Sequence, residues 1–292
     1  MNWKTVAITA SNEEVDALES FLWETGAVSV TLIDGEDQPI FEPGPGETPL
    51  WPHLTVTALY EDDVDTVSIA ATLRSQGYQV LFTDELGDRV WEREWMSEFK
   101  PMKFGQRLWV CPTGFEVDEV DAVILNLDPG LAFGTGTHAT TSLCLSWLDE
   151  QLEPGANVLD YGCGSGILGI ASKLLGARQI IAVDNDPQAL VATGDNGRRN
   201  GVQDDLVTCL PEDFAPGDTH PAQYQVVMAN ILAQPLINLS HLLSEYVAPE
   251  GHLVLSGIMS SQSDWVKKAY RLELVREAEL DGWICLHFKK AP

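Results

Sequence analysis

The chain is 292 residues long and 45% hydrophobic, enough apolar material for one large core or two smaller ones, and its 17 Lys and Arg against 44 Asp and Glu give a formal net charge of −27. Such a surface repels a bare phosphate backbone, which disfavours direct nucleic-acid binding, and it attracts basic partners at a rate that salt suppresses. No apolar run approaches the roughly 20 residues that cross a bilayer, and Met1-Asn2-Trp3-Lys4 lacks the basic and apolar regions of a secretory signal, so a cytoplasmic chain without membrane contact is expected.

In chain order, the first eighty or so residues read as strand, helix, strand, strand, helix, strand. Trp3 to Ile8 is a short apolar strand. Ser11-Asn12-Glu13-Glu14 then offers a capping box for a helix with the stripe Val15, Leu18, Phe21 and Leu22, which Gly26 stops. Val28 to Ile33 is the second strand, and a Pro- and Gly-rich stretch follows from Asp34 to Pro52. Leu54, Val56 and Ala58 alternate with Thr55, Thr57 and Leu59 as a third strand. Asp62 and Asp63 are the expected caps of the next helix, with Val64, Val67, Ala71 and Leu73 on its buried side and Gly77 at its end, before a last strand from Tyr78 to Phe82. The order βαββαβ predicts a ferredoxin-like α+β domain over residues 1–83. It holds no Gly-rich loop and no His or Cys cluster. Its two basic residues, Lys4 and Arg74, against fourteen acidic ones suit recognition of a basic protein.

Residues 84–103 read as a linker, in which Trp91, Trp95 and Phe99 share one helical face closed off by Pro101. From 104 to 292, strands alternate with helical segments, which predicts a parallel sheet covered on both faces, a Rossmann-like α/β domain. Its clearest strands are Val158–Asp160, Gln179–Asp184, Leu206–Leu210, Gln225–Ala229 and His252–Ser256. Runs at Leu272–Leu280 and Trp283–Phe288 around Asp281-Gly282 predict a closing hairpin. The five cysteines, Cys111, Cys144, Cys163, Cys209 and Cys285, lie scattered and out of zinc spacing, so reduced thiols and no metal site are expected.

The chemistry centres on Asn157-Val158-Leu159-Asp160-Tyr161-Gly162-Cys163-Gly164-Ser165-Gly166-Ile167-Leu168-Gly169, a strand that ends in an acid, turns through glycines and enters an apolar helix. Residues 164–169 also match the dinucleotide fingerprint G-x-G-x-x-G. However, Asp160 would set a carboxylate near the pyrophosphate that such a helix N-terminus must receive. S-adenosylmethionine, which brings a sulfonium and an ammonium, is the better electrostatic fit. Asp184 closes the next strand about twenty residues beyond the glycines, where an acid can accept both ribose hydroxyls. Asp186-Pro187 then caps and starts a helix. The strand Gln225–Ala229 delivers Asn230 to the same carboxyl edge, where a carboxamide can accept a hydrogen bond from an incoming amine.

Upstream, Asp128-Pro129-Gly130-Leu131-Ala132-Phe133-Gly134-Thr135-Gly136-Thr137-His138-Ala139-Thr140-Thr141 reads as a functional loop. It has no Gly-Lys-Ser/Thr ending, so ATP use is unsupported. Thr141 is placed to reach the cofactor from the following helix, and His138 is read as structural rather than as a base.

Together these residues resemble the PrmA family, the bacterial methyltransferases of ribosomal protein L11. The resemblance rests on the acidic N-terminal domain, Trp91-Glu92-Arg93-Glu94-Trp95-Met96, the loop from Leu127 to His138, Gly162-Cys163-Gly164-Ser165-Gly166 and Asn230-Ile231-Leu232. It implies a methyltransferase that uses S-adenosylmethionine to modify lysine side chains and the N-terminal amine of a basic ribosomal protein. The N-terminal domain would capture that substrate, and Thr141, Gly162, Asp184 and Asn230 would bind the cofactor. Gly164, from the same glycine loop, joins that set, and Asn230 is the expected catalytic residue. The family loop often has Pro where this chain has Ala139, and Phe where it has Tyr161. A monomer is expected. The rival readings are a methyltransferase of RNA or of a small molecule, and a ribosome-binding module that keeps a relic cofactor site.

Overall fold

The computed structural model describes residues 3–35, 50–86, 100–128, 136–218 and 220–292. The linker aromatics Trp91, Trp95 and Phe99 and the loop residues from Pro129 to Thr135 lie outside the described residues. The chain forms two compact units, Met1–Arg93 and Glu94–Pro292.

The first unit runs β1 (Trp3–Ser11), α1 (Val15–Glu24), β2 (Ser29–Asp34), β3 (His53–Glu61), α2 (Thr66–Ser75) and β4 (Gln79–Leu86). Its sheet has the order β2-β3-β1-β4, and every neighbouring pair is antiparallel. This is the split β-α-β arrangement that the element order calls for. Val6, Ile8, Leu54, Val56 and Tyr60 turn one face of the sheet onto Leu18 and Leu22 of α1 and onto Ile69 and Leu73 of α2. β4 extends to Leu86, past the expected domain end at residue 83.

Both helix starts in this unit differ from expectation. Asp65, not Asp62 or Asp63, caps α2: its Oδ1 accepts the Ser68 N–H at 3.1 Å. The helix therefore begins later, and its buried stripe falls at Thr66, Ile69, Ala70 and Leu73, spaced i, i+3, i+4 and i+7, which leaves Val67 72% exposed and Ala71 in solvent. At α1 only half of the capping box forms. Glu14 reaches back to the Ser11 N–H at 2.9 Å, but the Ser11 hydroxyl donates to the Glu14 carboxylate instead of accepting an amide.

The second unit opens with a small sheet that periodicity does not reveal, because its strands are only three or four residues long: β5 (Met102–Phe104), β6 (Leu108–Cys111) and β7 (Val123–Asn126). There follow α3 (Ala139–Gln151), β8 (Asn157–Tyr161), α4 (Ile167–Leu174), β9 (Gln179–Val183), α5 (Pro187–Arg199), β10 (Leu206–Cys209), β11 (Tyr224–Asn230), α6 (Ala233–Asn238), α7 (Ser240–Tyr246), β12 (Val247–Met259), α8 (Ser263–Ala269), β13 (Glu273–Leu280) and β14 (Trp283–Lys289). The seven-stranded sheet has the order β10-β9-β8-β11-β12-β14-β13. The first five strands are parallel. β14 runs antiparallel between β12 and β13, and the hairpin turns through Asp281 and Gly282 at φ 50° and 78°, the left-handed pair that a tight hairpin needs.

Alternation along the strands splits the core in two. Val158, Met228 and Val254 face α3 and α4 through Leu145, Leu148, Ile167 and Ile170, while Leu159, Val227, Ala229 and Leu255 face the opposite layer. Strand order reverses between β8 and β11. The crevice beyond their carboxyl ends is thus the switch point of the sheet, where open α/β folds bind ligands.

Candidate active site

The glycine turn leaves β8 at this switch point. Gly162, Gly164 and Gly166 have φ of 80°, 55° and 78°, a left-handed run that residues with a Cβ adopt only at a cost. Gly162 is also sterically required, since a Cβ there would fall 2.3 Å from Cγ2 of Ile231. The turn is pinned from both sides. The N–H groups of Gly162 and Cys163 donate to the Val183 carbonyl at 2.7 and 3.1 Å. From α5, the Thr193 hydroxyl donates to the Gly164 carbonyl at 3.0 Å and Asn196 Nδ2 to the Ser165 carbonyl at 2.9 Å. Thr193 and Asn196 were not singled out from the sequence. One helical turn apart on a helix that follows a recognisable Asp-Pro cap, they carry no local motif to mark them.

Asp184, just past β9, binds this turn directly. Its Oδ2 accepts the Gly164 N–H at 2.9 Å and its Oδ1 the Asp186 N–H at 3.0 Å. Asp186 in turn caps α5 through the Gln188 N–H at 2.9 Å, with Pro187 at the first position as expected. A carboxylate offers about four acceptor sites, so two remain for hydroxyl donors beyond the two amides.

Asp160 departs from its expected place. The carboxylate is fully buried beneath the turn, where Oδ2 accepts the Gly169 N–H of α4 at 2.9 Å and Oδ1 has no hydrogen-bond partner among the described residues. Burial, reinforced by the charge of Asp184 and opposed by the Gly169 N–H, pushes its pKa up to about 7. Asp160 is therefore not a rim anion. The case against a pyrophosphate rests instead on Asp184, whose charge already occupies the Gly164 amide that a phosphate would need.

Asn230 ends β11 on the same rim. Its Nδ2 donates to Oγ1 of Thr141 in α3 at 3.2 Å, while its Oδ1 is buried without a partner among the described residues. Thr141 itself is fully buried, one turn before Cys144 and Leu145 on the face that packs against the sheet. Asn230 and Ile231 are hemmed in by a glycine that the sequence reading passed over: Gly257, at φ 84° in β12, where a Cβ would lie 2.2 Å from the Ile231 carbonyl oxygen. A lone glycine within a strand pattern signals this kind of close backbone approach.

The residues before α3 act as framework. His138 caps that helix, its Nδ1 lies 2.8 Å from the Thr140 hydroxyl, and its ring meets Trp283 edge-on at 4.9 Å. Burial lowers its pKa. Ser142 ties the Gly136 carbonyl to the helix at 3.0 Å. At the other end of the loop, Asp128 accepts from the Thr113 N–H at 2.7 Å, the Thr113 hydroxyl and Arg199. Burial works against its charge, but these partners outweigh it and hold the carboxyl below the usual range.

Gly162, Gly164, Asp184, Asn230 and Thr141 thus converge on the switch point. The glycine turn admits a close ligand, a carboxylate stands one strand away, and the buried carboxamide oxygen at the end of β11 has no partner among the described residues. The arrangement suits a cationic nucleoside better than a diphosphate. Fold and site together define an S-adenosylmethionine-dependent methyltransferase of the Rossmann-like class.

Residues 2–291 match the family described as ribosomal protein L11 methyltransferase (PrmA). Similar proteins of that name include one from Methylococcus capsulatus, 46% identical over 97% of this chain and 98% of its own. Another, from Pseudomonas putida, is 50% identical over 97% and 98%. A crystal structure of a ribosomal protein L11 methylase from Lactobacillus delbrueckii subsp. bulgaricus superposes with a TM-score of 0.60 at 28% identity, covering 66% of this chain and all of that one. The chain belongs to the ribosomal protein L11 methyltransferase family.

Proposed function

We propose that the chain methylates the lysine side-chain and N-terminal amines of ribosomal protein L11, and that the unit Met1–Arg93 captures this substrate. The observation that carries the reading is the unpaired Oδ1 of Asn230 at the carboxyl edge of β11. A buried acceptor left open costs about 1–3 kcal/mol, and an amine N–H is one donor that relieves it. The charge of −27 supports a basic protein substrate over RNA and disfavours direct nucleic-acid contact.

When bound, S-adenosylmethionine supplies an activated methyl on a good leaving group. The residues of the chain bind and orient. Gly162 and Gly164 leave room along the turn, Asp184 would accept the ribose hydroxyls with its remaining lone pairs, and Asn230 Oδ1 would accept an amine N–H and so orient the nitrogen for transfer. A free lysine titrates near 10.4, so the amine must shed a proton before attack, helped by desolvation beside a cation. His138, occupied as the cap of α3, is not assigned as the base. No base is assigned among the described residues, and the proton passes to water or a carbonyl.

Incubating the purified chain with methyl-labelled S-adenosylmethionine, ribosomal proteins and ribosomal RNA tests the proposal. Label should enter L11 at amine nitrogens. Label confined to RNA would refute it.

A further inference from the structure

We propose that Leu232 and Trp265 form an apolar lip beside Asn230 that holds the aliphatic stem of the acceptor lysine and so favours lysine side chains over an N-terminal amine. The proposal rests on the amine-transfer reading above and deepens it, because a single acceptor oxygen can align any amine but cannot tell one from another.

The exposure and the placement of these two side chains carry it. Leu232 is 48% exposed and Trp265 62%. Scattered exposed apolar residues are ordinary, but these two share one place in the fold. β11 and β12 are parallel neighbours in which Asn230 pairs with Ser256, so both strands leave the sheet at the same carboxyl edge. Leu232 lies between the end of β11 and the start of α6, and Trp265 stands in the first turn of α8, the helix that follows β12. The two helices pack together on one face of the sheet, where Ala233, Leu236, Val266 and Tyr270 join the same core, and the Tyr270 hydroxyl donates to the Leu236 carbonyl at 2.7 Å. Two large apolar side chains thus stand in solvent at the starts of adjacent helices, on the edge that carries Asn230.

Leu232 is held in this position. Ile231 before it is wedged against Gly162 and Gly257, Ala233 after it is buried, and its own carbonyl accepts the Leu236 N–H at 3.2 Å. The leucine cannot turn inward without unseating a neighbour, which leaves a preorganised apolar surface for a ligand to cover. A lysine carries its amine on a long aliphatic stem, and such a stem lies favourably along apolar surface while its polar tip reaches beyond. Apolar walls also disfavour the ammonium form and so help to present the neutral amine. An N-terminal amine sits directly on the backbone and has no stem to cover.

The test uses the full chain with L11 and methyl-labelled S-adenosylmethionine. Mass spectrometry of L11 peptides reads kcat/KM at lysine and N-terminal nitrogens separately, and calorimetry reads the cofactor Kd. Leu232→Ala and Trp265→Ala should each lower lysine methylation about tenfold, the order expected for removing a partly covered large apolar side chain. Methylation of the N-terminal amine and the cofactor Kd should stay within about twofold of wild type. Leu232→Met keeps the apolar surface and should restore most of the lysine rate. Equal losses at both kinds of nitrogen, a lysine rate that does not fall, or a Kd that rises in step with the loss would each overturn the proposal. If the wild-type chain places no label on L11 amines, the amine-transfer reading itself fails, an outcome visible before any variant is made. Thermal melts confirm that the variants are folded, and Leu232→Met with Trp265→Phe keeps the comparison decisive if an alanine variant is not.

Discussion

Ile231 lies across Gly162, so close that a methyl group added to the glycine would sit 2.3 Å from its Cγ2. The relationship joins the ends of β8 and β11, the two strands that flank the switch point. On its other side, the Ile231 carbonyl lies where a Cβ on Gly257 would come within 2.2 Å. The segment that carries Asn230 is thus clamped between two glycines of positive φ.

The two clamps differ in what would have to give way. At 162 the obstacle is a side chain, and at 257 it is backbone. Either alanine pays about 1–3 kcal/mol of left-handed strain, and Gly257→Ala adds a clash that no rotamer change relieves. Gly257→Ala should therefore lower the melting temperature more than Gly162→Ala and reduce methyl transfer by displacing Asn230. Differential scanning calorimetry with a transfer assay checks this, and the opposite order would count against the clamp.

Asp184 holds the glycine turn by the Gly164 N–H and retains acceptor capacity for hydroxyls. Asp184→Ala should weaken S-adenosylmethionine binding by roughly 10- to 100-fold, the value of one or two hydrogen bonds to a charged acceptor. Turnover at saturating cofactor should fall less. Calorimetry that finds unchanged affinity would remove Asp184 from the cofactor site.

The fold was legible wherever periodicity and punctuation agreed. The βαββαβ order, the parallel strands and the Asp281-Gly282 hairpin all follow from alternation and turn residues. Where several residues of one chemistry stood together, local signals could not choose among them: Asp62, Asp63 and Asp65 can each cap a helix, and only the packing of Ile69 and Leu73 decides for Asp65. Strands such as Met102–Phe104 are too short to show a period. In the crevice, the positions of Gly162, Gly164, Asp184 and Asn230 were legible because each lies at a strand end or in the turn that leaves one. The direction of the Asp160 carboxylate and the pairing of Thr141 with Asn230 were not, since both depend on contacts between elements distant in sequence.

His287 packs edge-on to Trp147 at 5.0 Å and meets His252, Nε2 to Nδ1, at 2.9 Å. Burial, aided by His252, Arg276 and Lys289, pushes its pKa down to about 4. An unfolded histidine titrates near 6.5, so as pH falls the unfolded chain takes up the proton first. The stability contributed by this group is present above about 6.5 and lost progressively as pH drops toward 4. Urea unfolding of His287→Gln should show a smaller loss between pH 7 and pH 5 than wild type, and an equal loss would contradict the assignment.

Asp160 works in the opposite direction. Its folded-state pKa of about 7 lies above the unfolded value, so its contribution is complete at low pH and is lost as pH rises toward and through 7. Asp160→Asn keeps an acceptor for the Gly169 N–H and removes the titration. The variant should gain stability relative to wild type on going from pH 5 to pH 8. A constant difference across that range would show that Asp160 is already ionised in the folded chain.

In the proposed reaction Asn230 serves the transfer step and not the grip on the cofactor, and Asn230→Ala separates the two. With S-adenosylmethionine bound to saturation and L11 as acceptor, single-turnover transfer should slow on the order of 100-fold. The cofactor Kd from calorimetry should stay within about threefold, because little uniform binding is lost. A Kd that rises as far as the rate falls would place Asn230 on the cofactor, and a rate that does not change would remove it from the transfer step.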